Sequence, residues 1–405
     1  MDSLITAAAR ALAAGDAFGA LNRIALRDDA PALALRGIAM AQLGDLERAK
    51  LLLKRAARAF GSKAPMAHAR CIVAEAEIAL VSRDLTWPPQ TLEKAQATLV
   101  AHGDWVNAAQ ARYLEIRRLL LIGKLDAAER RLAVLNPSPL PPALRIAHEL
   151  AVAGVAIRRV KAQTARSALN RAGQAARQAD IPALTAEVEA AQLLLDTPAA
   201  RLSAAGTERP MLLDEVEAML ASDALIIDAS RNVVRSGTTV VSLATRPVLF
   251  SLARTLAETW PDDAPRAALL ARAFRAKHAD ESHRARLRVE IGRLRAALAP
   301  LASITATRNG FLLEPHATAV AVLAPPVEEE NAAVLAFLAD GESWSSSALA
   351  IALGNSPRTI QRALEQLAAA GSVQSFGRGR ARRWTIPSVP GFPTSLLLPG
   401  PLPSS

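Results

Sequence analysis

From about residue 5 to residue 200, apolar positions return every three or four residues, a spacing that predicts helix after helix. In ALRGIAMAQLGDLERAKLLLKRAARAF, Gly37, Met40, Gly44, Ala49, Leu53 and Ala56 alternate small and large along one helix-turn-helix unit. The same spacing recurs at Gly15, Ala20 and Ile24, again at Gly123, Ala128 and Leu132, and more loosely at Ala153, Ala165, Leu169 and Ala172. A small residue lets paired helices approach, and the larger one fills the groove to the next pair. WPPQ at 87–90 interrupts the third unit.

The pattern changes after TPAARLSAAGTERP (197–210), which reads as a domain boundary. Short apolar runs bounded by turn residues predict strands over Leu225 to Asp228, Asn232 to Arg235 and Thr239 to Leu243. Thr245 is placed to cap a helix with Pro247 in its first turn. A second helix is expected from about Ala264 to Phe274 and a third from near Ser282. On the third, Leu287, Ile291, Leu294 and Leu298 form a buried stripe. Arg286 and Arg293 then flank one side of the opposite face and Arg288 and Arg295 the other, with Ala285, Val289, Gly292 and Ala296 between them. Small residues between two arginine rows suit a helix in the major groove, the arginines reaching phosphates or base edges and Val289 a thymine methyl. SITATRNGFLLEP follows as a two-strand ribbon with Arg308 at its tip.

APPVEEE (324–330) reads as a linker. Beyond it, Asn331 to Ala339 predicts a helix, Ser345 or Ser346 caps a second that stops at Gly354, and Ser356-Pro357 starts a third. Ile360, Leu364 and Leu367 are assigned to the core, while Arg358, Gln361, Arg362 and Glu365 share a different face, with Thr359 near the N-terminal end, and form a base-reading set. SVQSFGRGRARRWTI then fits two strands around an Arg-Gly turn, with Arg378, Arg380 and Arg382 reaching phosphate or minor groove and Trp384 anchoring the returning strand. The strand after GRGR argues against a phosphate-binding loop, which needs a helix there.

These motifs carry three resemblances. Residues 1–205 resemble a degenerate tetratricopeptide array with aliphatic residues at most aromatic consensus positions. Residues 222–316, with the RLRAAL run and a closing ITATRNGFLL, resemble the winged helix-turn-helix domain of OmpR/PhoB-type response regulators. That resemblance implies a recognition helix carrying Arg286, Val289, Arg293 and Arg295, with Arg308 in the wing. The family's acidic positions fall on Pro247 and Arg288, its wing arginine aligns with Thr307, and no strand-helix alternation suggests a phospho-acceptor domain. Residues 331–387 resemble MarR- or DeoR-like winged domains, followed by a proline-rich tail at 388–405. The expected fold is mainly α, a helical-repeat array followed by two winged helix-turn-helix domains.

Composition narrows the function. Net charge is +10 and the pI about 10.6, which favours an anionic partner, although only seven of the 48 basic residues are lysine and such arginine bias also follows genomic base composition. Cys71 is the only cysteine, which excludes an intramolecular disulfide, and its alanine-rich surroundings read as core. His68, His102 and His148 lack metal-ligand spacing, and Trp87, Trp105 and Tyr113 read as packing residues. No signal peptide, membrane span, cofactor motif or catalytic constellation emerges. The expectation is a cytoplasmic bacterial transcription regulator, not an enzyme, that binds double-stranded DNA and uses its repeat half for a signal or a protein or peptide partner. A protein-protein adaptor with winged domains as platforms is the alternative.

Overall fold

A computed structural model describes residues 3–82, 84–204, 206–274, 281–325, 331–338, 343–369, 373–379 and 382–385. It is mainly helical, with small sheets in the second half. Two compact units hold the described residues, one drawn from 1–159, 164–193 and 333–405, the other from 160–163 and 194–332.

In the first unit the helices are α1 Ser3–Ala13, α2 Ala17–Ile24, α3 Ala30–Gln42, α4 Leu46–Phe60, α5 Pro65–Val81, α6 Pro89–Ala101, α7 Trp105–Leu121, α8 Leu125–Ala133, α9 Pro142–Arg158, α10 Ala162–Ala179 and α11 Pro182–Leu193. One turn device recurs between them. Gly15, Gly44 and Gly103 take the left-handed conformation that side chains resist, and the next residue, Asp16, Asp45 or Asp104, caps the following helix through its carboxylate. Successive clusters then bury one pair against the next. Ile5 and Leu12 join Leu35, Leu53 joins Ile78, Val73 joins Leu99 and Leu114, and Ile116 joins Leu144 and Val188. Gly37 shows why small residues are needed: a Cβ there would lie 2.8 Å from Leu53 Cγ. Arg70 Nε donates to Asp104 Oδ2 at 2.6 Å, tying α5 to the cap of α7 with both side chains 7% exposed. Trp105 departs from the sequence reading: it opens α7 on its outer side and is 64% exposed rather than packed.

The second unit contains β1 Ala200–Ala204, β2 Thr207–Met211, α12 Leu213–Leu220, β3 Leu225–Asp228, β4 Val233–Ser236, β5 Thr239–Ser242, α13 Pro247–Thr259, β6 Ala264–Pro265, α14 Arg266–Phe274, α15 Glu281–Leu298, β7 Ala302–Ala306, β8 Gly310–Pro315 and β9 Val320–Ala324. The segment read as a boundary is therefore built into a six-stranded sheet of order β2-β1-β9-β3-β4-β5, mixed because β3 and β9 run parallel. The continuous apolar runs of β3 and β9 suit strands covered on both faces. Leu225, Ile227 and Val322 meet Leu252 of α13 and Ile291 of α15, while Ile226 and Leu323 meet Val216 of α12. Arg246, not Thr245, stands at the start of α13, and no side chain caps it.

The remaining elements, α16 Ala332–Leu338, α17 Ser346–Leu353, α18 Pro357–Ala369, β10 Gln374–Phe376 and β11 Arg383–Thr385, belong to the first unit. Ser345 caps α17 and Gly354 ends it in the left-handed conformation. β10 and β11 pair antiparallel, and the backbones of Trp344 and Trp384 exchange hydrogen bonds at 2.8 and 2.7 Å. Both indoles are fully buried with Leu349, Leu364 and Val373, and Leu85, Leu121 and Ile122 of the helical array join the same cluster.

Truncating a buried tryptophan costs about 3–5 kcal/mol. Trp384→Ala is expected to strip hydrogen-exchange protection from α18 and β10 while α9 keeps its own. Unchanged exchange in α18 would contradict this packing.

Candidate nucleic-acid interface

α15 begins as a helix with one apolar stripe. Leu287, Ile291, Leu294 and Leu298 are all at most 2% exposed, so the opposite side must face solvent. Ala285, Val289, Gly292 and Ala296 are exposed, and a Cβ added at Gly292 would meet open space. The flanking arginines are exposed too, but several brace the helix. The Arg286 guanidinium lies 4.7 Å from the Phe274 ring centroid at the end of α14. On the other flank Arg295 Nε donates to the Ile304 carbonyl of β7 at 2.6 Å, with its guanidinium 6.0 Å from the Phe311 ring. Arg293 donates to Glu290 at 2.9 Å, and Arg288 is exposed. α15 is thus held between α14 and the β7–β8 hairpin, and the small-residue strip looks outward.

Arg308 is exposed at the tip of that hairpin and makes no side-chain hydrogen bond or ion pair among the described residues. The tip is closed by the Thr307 hydroxyl, which accepts from the Gly310 N–H at 2.9 Å and donates to the Asp263 carboxylate. Gly310 is needed for close approach, since a Cβ there would lie 1.7 Å from the Ala264 carbonyl oxygen. The sequence pattern points to Thr307 only through its alignment with the family's wing arginine and does not single out Arg266, Asp263 or Phe311. Their contacts span about forty residues, and no local pattern announces them.

α18 carries the second basic surface. Ile360, Leu364 and Leu367 are buried, and Arg358, Thr359 and Arg362 are exposed. Ser356 accepts from the Thr359 N–H at 3.1 Å and shares a 2.8 Å hydroxyl contact with it, so Thr359 is part of the cap. Gln361 is half-buried, and its amide donates to Glu365 at 2.8 Å. In the β10–β11 hairpin Arg378 is exposed between Gly377 and Gly379, which have φ of 77° and 56°. Arg382 stacks 4.2 Å from the Trp384 ring and donates to the Ser375 hydroxyl at 3.1 Å. Arg380, and the proline-rich tail, lie outside the described residues.

Each unit therefore brings one exposed basic helix beside one hairpin with an arginine at its turn. Among the described residues no group of three or more His, Cys, Asp or Glu converges as metal ligands would. No described helix is long and apolar enough to cross a membrane. Burial holds His148 below its ordinary pKa, and its Nδ1 shares a 3.2 Å hydrogen bond with the Tyr113 hydroxyl, a packing contact inside the helical array. Neither family models nor curated proteins nor solved structures gave a match to this chain.

Burial pushes the Cys71 thiol up to about 12, leaving it protonated at pH 8. A thiol-reactive chromophore is expected to label it only after denaturant is added. Rapid stoichiometric labelling of the native chain at pH 8 would contradict its place in the core.

Proposed function

We propose that this chain is a sequence-specific DNA-binding transcription regulator in which two winged helix-turn-helix modules read the duplex and the helical-repeat half receives a signal or partner. The reading is supported chiefly by one recurrence: an exposed basic helix followed directly by an arginine-tipped hairpin, α15 with β7–β8 and α18 with β10–β11. A helix of this kind suits the major groove, and an adjacent hairpin suits phosphate or minor groove. In the first module Val289 and its small neighbours would approach base edges, with Arg286, Arg288, Arg293 and Arg295 lining the phosphates. In the second, Arg358 and Arg362 would read bases, while Arg378 contacts the backbone. Two modules on one chain raise each other's local concentration, so modest individual affinities suffice.

A second reading, a protein-binding adaptor, is favoured by the arginines already engaged within the fold, namely Arg286, Arg295 and Arg382. It has a different signature. An adaptor would show no salt-sensitive duplex affinity and would keep its partner when Arg308, Arg358, Arg362 and Arg378 are all replaced by alanine.

DNA affinity of the full chain should fall steeply with salt, each neutralised phosphate contributing about 0.9 to the slope of log K against log salt. Arg378→Ala is expected to weaken binding to all sequences alike and flatten that slope by about one contact. Arg358→Ala or Arg362→Ala should instead relax base preference by about 1–3 kcal/mol at one position. Absence of salt-sensitive binding to any genomic duplex would overturn the reading.

A further inference from the structure

Three consecutive carbonyl oxygens at the β7–β8 tip converge on one residue. The Arg266 backbone N–H donates to the Asn309 carbonyl at 3.2 Å. Its guanidinium donates through Nη1 to the Arg308 carbonyl at 2.7 Å and through Nη2 to the Thr307 carbonyl at 2.9 Å. The same guanidinium lies 5.6 Å from the Phe311 ring centroid, and Arg295 approaches that ring at 6.0 Å. Arg266 is half-buried and opens α14, forty residues before the hairpin.

We propose that Arg266 is a positioning residue for the tip: it gathers the Thr307, Arg308 and Asn309 carbonyls inward and thereby sets Arg308 outward toward a phosphodiester backbone. The functional half of this inference rests on the DNA-binding reading; the structural half does not.

The physical argument has two parts. A carbonyl oxygen carries partial negative charge, so a tip presenting three of them to DNA would oppose the phosphates that Arg308 must approach. Turning two of them onto the half-buried Arg266 guanidinium and the third onto its backbone N–H removes that opposition. A tip ordered before binding also spares the entropy of ordering it in the complex. Arginine suits the task because its planar fork serves two acceptors at once, whereas a lysine ammonium is a point charge on a flexible stem.

Arg266→Lys keeps the charge and removes the fork. Hydrogen exchange of the DNA-free chain is the first readout, because the Thr307 and Gly310 amides are bonded only while the tip is closed. Both should exchange at least tenfold faster in the variant while Leu294 in α15 is unchanged. Should that variant unfold the unit, Thr307→Val tests the same closure from the hairpin side, and faster Gly310 exchange is again expected.

The second readout is a double-mutant cycle on duplex affinity with Arg308→Ala. Each single change is expected to weaken binding by about tenfold, the size of one charge-assisted hydrogen bond, and the double change by little more than either alone. Unaltered exchange at Thr307 and Gly310 would overturn the clamp. Fully additive losses, near a hundredfold, would overturn the positioning role by showing that Arg266 meets DNA independently. If the unaltered chain bound no duplex, the DNA reading alone would fall, and the exchange data would still judge the clamp.

Discussion

Arginine laid against an aromatic ring is the contact on which both basic surfaces depend. Phe274 supports Arg286, Phe311 is approached by both Arg266 and Arg295, and Trp384 carries Arg382. Aromatic residues make up 3% of the chain, so their appearance beside these guanidiniums matters for the layout of the charge. A ring face attracts the cation and supports its stem, at roughly 0.5–1 kcal/mol where exposed. Mutual repulsion among so many like charges would otherwise splay helix and hairpin apart. Anchoring some arginines to rings and carbonyls leaves Arg308, Arg358, Arg362 and Arg378 to project from a fixed frame.

Scarcity of aromatics also shapes the helical half. Alanine and leucine must supply its cores, and alanine buries little area per residue, so helices have to come close to bury enough. Gly37 against Leu53 is that constraint at one point. The Gly-Asp turns meet it at the chain reversals, where a left-handed glycine folds the backbone and the aspartate satisfies the next helix's free N–H groups. Successive clusters then share helices, so the array is held by nearest-neighbour contacts. Leu85, Leu121 and Ile122 continue this packing onto the tryptophan-centred module formed by α16–α18.

What the sequence made legible is local. The stripe of α15 follows from leucine and isoleucine spacing, the start of α18 from Ser356-Pro357, and β3 to β5 from short apolar runs between turn residues. What it concealed is pairing across distance. TPAARLSAAGTERP looks like a boundary because Gly206 and Pro210 punctuate it; within it β1 and β2 pair with each other, and β1 takes its second partner from β9, more than a hundred residues later. VAVLA of β9 stands directly before a proline-rich segment, and its parallel match to β3 has no local signal. In the basic surfaces, residue types and faces were readable from periodicity. Which arginines brace and which project depended on Phe274, Ile304 and Phe311, whose neighbours no spacing rule identifies.

The most direct test of the central claim is hydroxyl-radical footprinting of the full chain on a duplex selected from a random pool. The account predicts an enriched sequence and protected sugars that flank it, with one minor-groove segment of protection lost in Arg308→Ala while the rest persists. Failure to enrich any sequence, or a footprint indifferent to Arg308, would contradict it.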